Sequence, residues 1–201
     1  MKQIRVAMSK GNTLVSTLFR NAGYSLPHDF DDSRKYIVPI GSDIEFILAK
    51  PIDIPTYVEY GVADIGIVGK EILLEENRNV YELMKLPISS GYLSKIKISN
   101  KELFNPRVAT LYPNISSKYF REKGQQAEII RLNGRLELAL FTGLADCIID
   151  VVEINGQKKF EHFEVENICN VSSRLIANKV SYQIKDIYIQ EICDRLDLVF
   201  N

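Results

Sequence analysis

Four stretches of this sequence carry residue types able to do chemistry. Ser9-Lys10-Gly11-Asn12 sits where an apolar run passes into a helical pattern. Backbone N–H groups at a helix start, the Lys10 ammonium and the close approach permitted by Gly11 suit an anion such as phosphate. The spacing is not that of a P-loop, and an ordinary strand-to-helix turn accounts for the same residues. Asp64 heads the apolar run Ile65-Gly66-Ile67-Val68-Gly69, where it is either a site carboxylate or a polar residue satisfied at a strand edge. In Asn133-Gly134-Arg135-Leu136-Glu137 a carboxylate falls in the first turn of a helix, a place that the helix dipole favours and that capping also explains. The fourth stretch, Cys147 to Lys159, is the most suggestive. Asp150 interrupts an apolar strand, a costly position unless the charge is paired or functional. The chain then leaves through Glu153, Asn155, Gly156, Gln157 and Lys158, a turn able to receive an anion at the carboxyl end of a parallel sheet.

Other chemistries lack their residues. The two histidines, His28 and His162, lie in loops with no Ser or Cys nucleophile motif beside them, and no Cys/His spacing fits zinc. The cysteines, Cys147, Cys169 and Cys193, are odd in number and without CxxC spacing, as expected for reduced thiols in a cytosolic protein. With 25 Lys+Arg against 26 Asp+Glu over 201 residues, the chain is neither a globally basic nucleic-acid binder nor a disordered polyelectrolyte. No apolar run is long enough for a membrane span or a signal sequence. A cytoplasmic protein with no nucleic-acid or membrane partner is expected.

These stretches must be positioned by alternating strands and helices. Strands are expected at Ile4 to Met8, Asp43 to Ala49, Ala63 to Val68, Arg107 to Leu111, Ala127 to Leu132, Cys147 to Val152 and Ser173 to Ala177. Helices are expected at Thr13 to Ala22, from Asp53 as N-cap through Tyr60, at Lys70 to Glu76, Pro113 to Lys123, Leu136 to Thr142, and Ile184 to Leu196. Val80 to Leu86 reads as extended or mixed. Such alternation implies an α/β fold with mostly parallel sheets covered on both sides. Two polar stretches, Gly91 to Pro106 and Asn155 to Asn167, break the pattern and read as crossings between two lobes flanking a cleft. The first lobe comprises 1–90 plus 169–201 and the second 91–168.

The sequence resembles the short form of ATP phosphoribosyltransferase along nearly its whole length. The resemblance lies in Lys10-Gly11, Ser33-Arg34-Lys35, the run Lys50 to Gly69, Val108-Ala109-Thr110 with Tyr112-Pro113, Leu132-Asn133-Gly134 with Glu137, Gly143 to Asp146 and Asp150-Val151-Val152. It implies a two-lobed fold similar to type II periplasmic binding proteins. It also implies attack by N1 of ATP on phosphoribosyl pyrophosphate, the first step of histidine biosynthesis. Glu137 and Asp150 would then face the phosphoribosyl group as catalytic residues. Glu153, Asn155, Gly156, Gln157 and Lys158 would hold its 5′-phosphate, and Lys10, Gly11, Lys50 and Asp64 would line the first-lobe side. Mg²⁺ would be held mainly by substrate phosphates, with no protein ligand set of its own. A homodimer and a regulatory subunit resembling histidyl-tRNA synthetase are the implied partners. The chain departs from the family pattern at Ser9 and Asn12, Ser89 to Tyr92, Arg135 and Ile154 to Lys158. These departures leave two readings: the enzyme itself, with Arg135, Lys158 and Lys159 partly replacing lost phosphate contacts, or a paralogue that binds another ligand or serves as a non-catalytic subunit.

Overall fold

The computed structural model describes residues 3–32, 34–98, 104–154 and 163–200. The chain divides into two compact units, Met1–Ser89 with Ser172–Asn201, and Ser90–Val171.

In the first unit the strands β1 (Ile4–Ser9), β3 (Ile44–Ala49) and β4 (Ile65–Gly69) are short apolar runs buried on both faces, the composition that a parallel sheet covered by helices requires. β1 lies between the other two and is parallel to both. The sheet is not parallel throughout. β2 (Ile37–Ile40) runs antiparallel to β3, and β9 (Phe163–Ala177) antiparallel to β4, giving the order β2-β3-β1-β4-β9-β5 with β5 spanning Tyr81–Ile98.

Helix α1 (Thr13–Asn21) turns Val15, Leu18 and Phe19 inward, and the Phe19 ring meets Phe46 edge-on at 4.9 Å between centroids. Helix α2 (Ile54–Glu59) packs Ile54 and Val58 over Gly66, where a β-carbon would come within 2.9 Å of both. A 3₁₀ turn, Pro51–Asp53, precedes α2, so Asp53 occupies the cap position but its side chain caps nothing. After α3 (Lys70–Glu76), the unit is completed by α6 (Lys179–Ile184) and α7 (Asp186–Asp197). The closing helix expected over Ile184 to Leu196 is α7, which begins two residues later, and α6 before it is a further helix that the sequence pattern did not show. They part at Lys185, whose ammonium turns inward to Asp64 and to the Gln3 carbonyl.

The second unit repeats the plan. β6 (Arg107–Thr110) lies between β7 (Glu128–Arg131) and β8 (Cys147–Glu153), parallel to both, and β5 closes the other side of β8 in antiparallel register. One face of this sheet, with Ile96, Ala109, Ile148 and Val152, packs on Leu136 and on Ala139 and Leu140 of α5 (Glu137–Phe141). Of the polar stretches expected as crossings between lobes, the described residues are largely strand: 91–98 belong to β5 and 163–167 to β9. β5 runs for 18 residues and β9 for 15, each with polar residues interspersed among apolar ones.

Opposite Ile96 on the pleat, Lys95 points to α4 (Pro113–Glu122) and donates to Glu166 of β9 at 3.0 Å. Lys123, just past α4, donates to the same carboxylate. Partial burial works to raise the Glu166 pKa, but the two ammonium groups outweigh it and hold the group at about 2. A carboxyl held below its unfolded value adds stability above about pH 4.5 and loses it as pH falls toward 2. The Glu166 side chain is 41% exposed, so screening leaves roughly 1 kcal/mol. Glu166→Gln should therefore lower the thermal midpoint by about 2–4 °C at pH 7, and the gap from wild type should vanish near pH 2. Thermal melts at the two pH values check this.

Candidate active site

Within each unit, several of the candidate residues lie at or near the carboxyl ends of parallel strands, the usual place for ligands in α/β proteins. In the first unit, β3, β1 and β4 end at Ala49, Ser9 and Gly69, and each is followed at once by a lysine: Lys50, Lys10 and Lys70. The Lys10 backbone N–H bonds the Ala49 carbonyl at 3.2 Å, which joins the first two strand exits. Gly11 takes φ +71°, a left-handed conformation that favours glycine. The side chain of Asn12 caps α1 by accepting from the Val15 N–H. Lys10 carries its ammonium over the Tyr36 ring, 5.0 Å from the centroid. Lys10, Gly11 and Lys50 are all solvent-exposed, open to a polyanion.

Asp64 is not on this edge. It precedes β4, at the amino-terminal end of the sheet, and is 4% exposed. Its carboxylate accepts from the Arg5 backbone N–H at 2.9 Å, the Ser181 hydroxyl at 2.6 Å and the Lys185 ammonium at 2.8 Å. The sequence left two readings of Asp64, and the structure gives the satisfied strand-edge residue: a staple between the start of β4 and helices α6 and α7. The sequence reading also passed over Lys70, although it stands after its strand as Lys10 and Lys50 stand after theirs. The recurring signal was a lysine at the exit of a largely apolar strand.

In the second unit β8 outruns its neighbour. The last β6–β8 pair is Thr110 with Ile149, and β8 continues through Asp150 to Glu153. The Thr110 hydroxyl ties this end together, donating to the Ile149 carbonyl and accepting from the Tyr112 N–H, both at 2.9 Å. Asp150 is half-buried, past the last β6 pair but still paired with Ser94 of β5, so the cost of a charge in an apolar strand is reduced by its partial exposure. Strand alternation puts it on the face of Ile148 and Val152, the face covered by α5. Its Oδ1 accepts from the Val151 N–H at 2.8 Å, which fixes the carboxyl group's orientation. Glu137 lies in the first turn of α5, after the β7 exit, and Glu153 ends β8 exposed. Asn155, Gly156, Gln157 and Lys158 fall outside the described residues.

This unit thus offers carboxylates fit to accept hydrogen bonds from sugar hydroxyls, and the first unit offers ammonium groups fit for phosphates. Of the histidines, His28 is exposed and His162 is outside the described residues. None of the three cysteines is in a disulfide, Cys147 is buried, and burial pushes the Cys193 thiol up to about 11. Among the described residues no helix is long and apolar enough to cross a membrane.

A family model described as HisG, ATP phosphoribosyltransferase, matches residues 50–198. The curated ATP phosphoribosyltransferase of Bacillus subtilis (strain 168) is 49% identical over 205 residues, covering 98% of this chain and 96% of the relative. The chain belongs to the ATP phosphoribosyltransferase family. The ATP phosphoribosyltransferase of Halalkalibacterium halodurans is 48% identical, with 98% and 96% covered. The solved structure titled ATP phosphoribosyl transferase (HisG:HisZ) complex from Thermotoga maritima superposes with a TM-score of 0.84 over 98% of both chains at 28% identity. The mixed α/β fold is therefore that of the family, and the chain's length is that of the short form. As an ATP phosphoribosyltransferase it transfers a phosphoribosyl group from phosphoribosyl pyrophosphate to N1 of ATP, the first step of histidine biosynthesis. The reading as a paralogue with another ligand is not favoured, since relatives bearing this name align along almost the whole chain.

Proposed function

We propose that the reaction is carried by the carboxyl-edge residues as follows. Asp150 and Glu137 accept hydrogen bonds from the ribose hydroxyls of phosphoribosyl pyrophosphate and offset positive charge developing at C1′. Lys10, Lys50 and the Gly11 turn receive phosphate oxygens, and Glu153 opens the segment that meets the 5′-phosphate. The adenine N1 lone pair forms the new bond to C1′ while the C1′–oxygen bond breaks, its electron pair leaving on pyrophosphate. The charge gained by the base is discharged as a proton from its 6-amino group. No protein nucleophile enters, so catalysis is orientation plus electrostatic stabilisation. The observation that carries this reading is the extension of β8 beyond its last β6 pair, which sets Asp150 and Glu153 at the strand end where α/β ligands bind.

Among the described residues no three His, Cys, Asp or Glu side chains gather into a metal cage. A Mg²⁺ ion here would take most of its ligands from substrate phosphates and water, with a single carboxylate such as Asp150 as its protein ligand. When bound, it supplies charge neutralisation on the departing pyrophosphate. The setting we propose is the cytoplasm, as a homodimer joined by a regulatory subunit resembling histidyl-tRNA synthetase. Support for that subunit comes from the solved relative, titled as a HisG:HisZ complex.

The test is incubation of the purified protein with ATP, phosphoribosyl pyrophosphate and Mg²⁺, with and without that subunit. Phosphoribosyl-ATP and pyrophosphate should appear in equal amounts and cease on chelation of the metal. If no product forms with the subunit present, the reading fails; if turnover persists after chelation, the metal assignment fails.

A further inference from the structure

The cation that sequence reasoning missed is part of a preformed assembly. Glu82 of β5 takes Lys70 on one carboxylate oxygen at 2.5 Å and the Arg174 Nε on the other at 2.6 Å. Arg174 is the fixed member. Its side chain is only 16% exposed, and it is braced by the Ser172 hydroxyl at 2.6 Å and the Ser173 carbonyl at 3.2 Å. Lys70 is the member facing water, 30% exposed. Burial works to raise the Glu82 pKa, but the two cations outweigh it and keep the carboxylate ionised. The direction of bracing therefore runs from Arg174 through Glu82 to Lys70, at the exit of the third parallel strand. Neighbouring strands lie about 4.8 Å apart, so Lys50, Lys10 and Lys70 leave the sheet side by side as a row of three ammonium-bearing positions. A second carboxylate, that of Glu71, lies against Gly69 where a β-carbon would stand.

We propose that Lys70 is a third phosphate-contacting residue of this edge and that Glu82 is a positioning residue holding it there, braced by Arg174. The inference rests on the assignment of Lys10 and Lys50 to phosphate. A polyphosphate chain then meets a line of cations, and the anchored Lys70 holds its place before the ligand arrives.

Glu82 gives the proposal a sign. Were it only a competing anion, its removal would leave the edge more positive and tighten polyanion binding. As a positioning residue, its removal frees the Lys70 side chain and weakens binding.

The experiment measures KM for ATP and for phosphoribosyl pyrophosphate in Lys70→Met, Lys70→Arg, Glu82→Gln and Lys10→Met, with thermal midpoints alongside. Lys70→Met should raise KM for one of the two substrates at least tenfold, and Lys70→Arg should restore it to within about threefold. Glu82→Gln should raise the same KM several-fold, with a midpoint within a few degrees of wild type. The proposal is overturned if Lys10→Met raises a KM while Lys70→Met leaves both within twofold, or if Glu82→Gln lowers the KM. If neither lysine matters, this proposal and the assignment of Lys10 fall together.

Discussion

Asp150→Asn should weaken binding of Mg²⁺ and phosphoribosyl pyrophosphate ten- to a hundredfold by calorimetry, while leaving the fold intact. Hydrogen bonds to a charged acceptor contribute about 1.5–3 kcal/mol, and each 1.4 kcal/mol is a factor of ten in affinity. The Asn side chain has nearly the same shape and its oxygen can still accept from the Val151 N–H, as Asp150 Oδ1 does at 2.8 Å. The position is half-buried and past the last β6 pair, so the thermal midpoint should move by no more than a few degrees. Since the same charge is to offset the positive C1′ of the transition state, kcat should fall as well as affinity. Unchanged affinity removes Asp150 from the site; lost affinity with a collapsed midpoint shows a structural role instead.

The second large effect is on stability. Asp64→Ala strands the Lys185 ammonium, 20% exposed, together with the Ser181 hydroxyl and the Arg5 N–H, all of which now bond the carboxylate. Removing one partner of a buried pair costs about 3–5 kcal/mol. The lower end applies here, because Lys185 keeps the Gln3 carbonyl at 3.0 Å. At roughly 2–4 °C per kcal/mol for a chain of this length, the midpoint should drop by about 6–12 °C. The double replacement Asp64→Leu with Lys185→Met should recover much of that loss, since a buried pair is often no better than packed apolar side chains. Substrate KM values measured well below the midpoint should be unchanged in Asp64→Ala. A raised KM with an unmoved midpoint would return Asp64 to the substrate site.

Much of the fold was legible because apolar strands and periodic helices are local signals. The α3 bounds and the strands from β6 to β8 came within a residue or so of expectation. β2 was missed because Pro39 sits in its four residues, and proline argues against a strand unless it lies at an edge, which is where β2 runs. β5 was cut short because Ser89, Ser90, Lys95 and Lys97 look like a solvated loop. Their polarity instead reflects a strand whose alternate positions meet α4, Glu164 and Glu166. Lys185, between α6 and α7, bonds Asp64, 121 residues away, a contact that no local pattern carries. The site divides along the same line. Lys10, Gly11 and Glu137 stand at strand-to-helix transitions visible in sequence and Asp150 shows as a charge inside an apolar strand, whereas a carboxylate beside an apolar strand, such as Asp64, does not reveal which end of the sheet it occupies.

The first unit is assembled from two separated pieces of chain, with the whole of the second between them. During synthesis, Ser90–Val171 is complete before β9 can pair with β4 or α7 can cover Ile65 and Ile67. Until then the nascent first unit holds β4 as an open sheet edge, a template for mispairing. The segment that begins at Ser172 thus acts as a clasp made only after the second unit, and the Asp64–Lys185 pair is where it fastens.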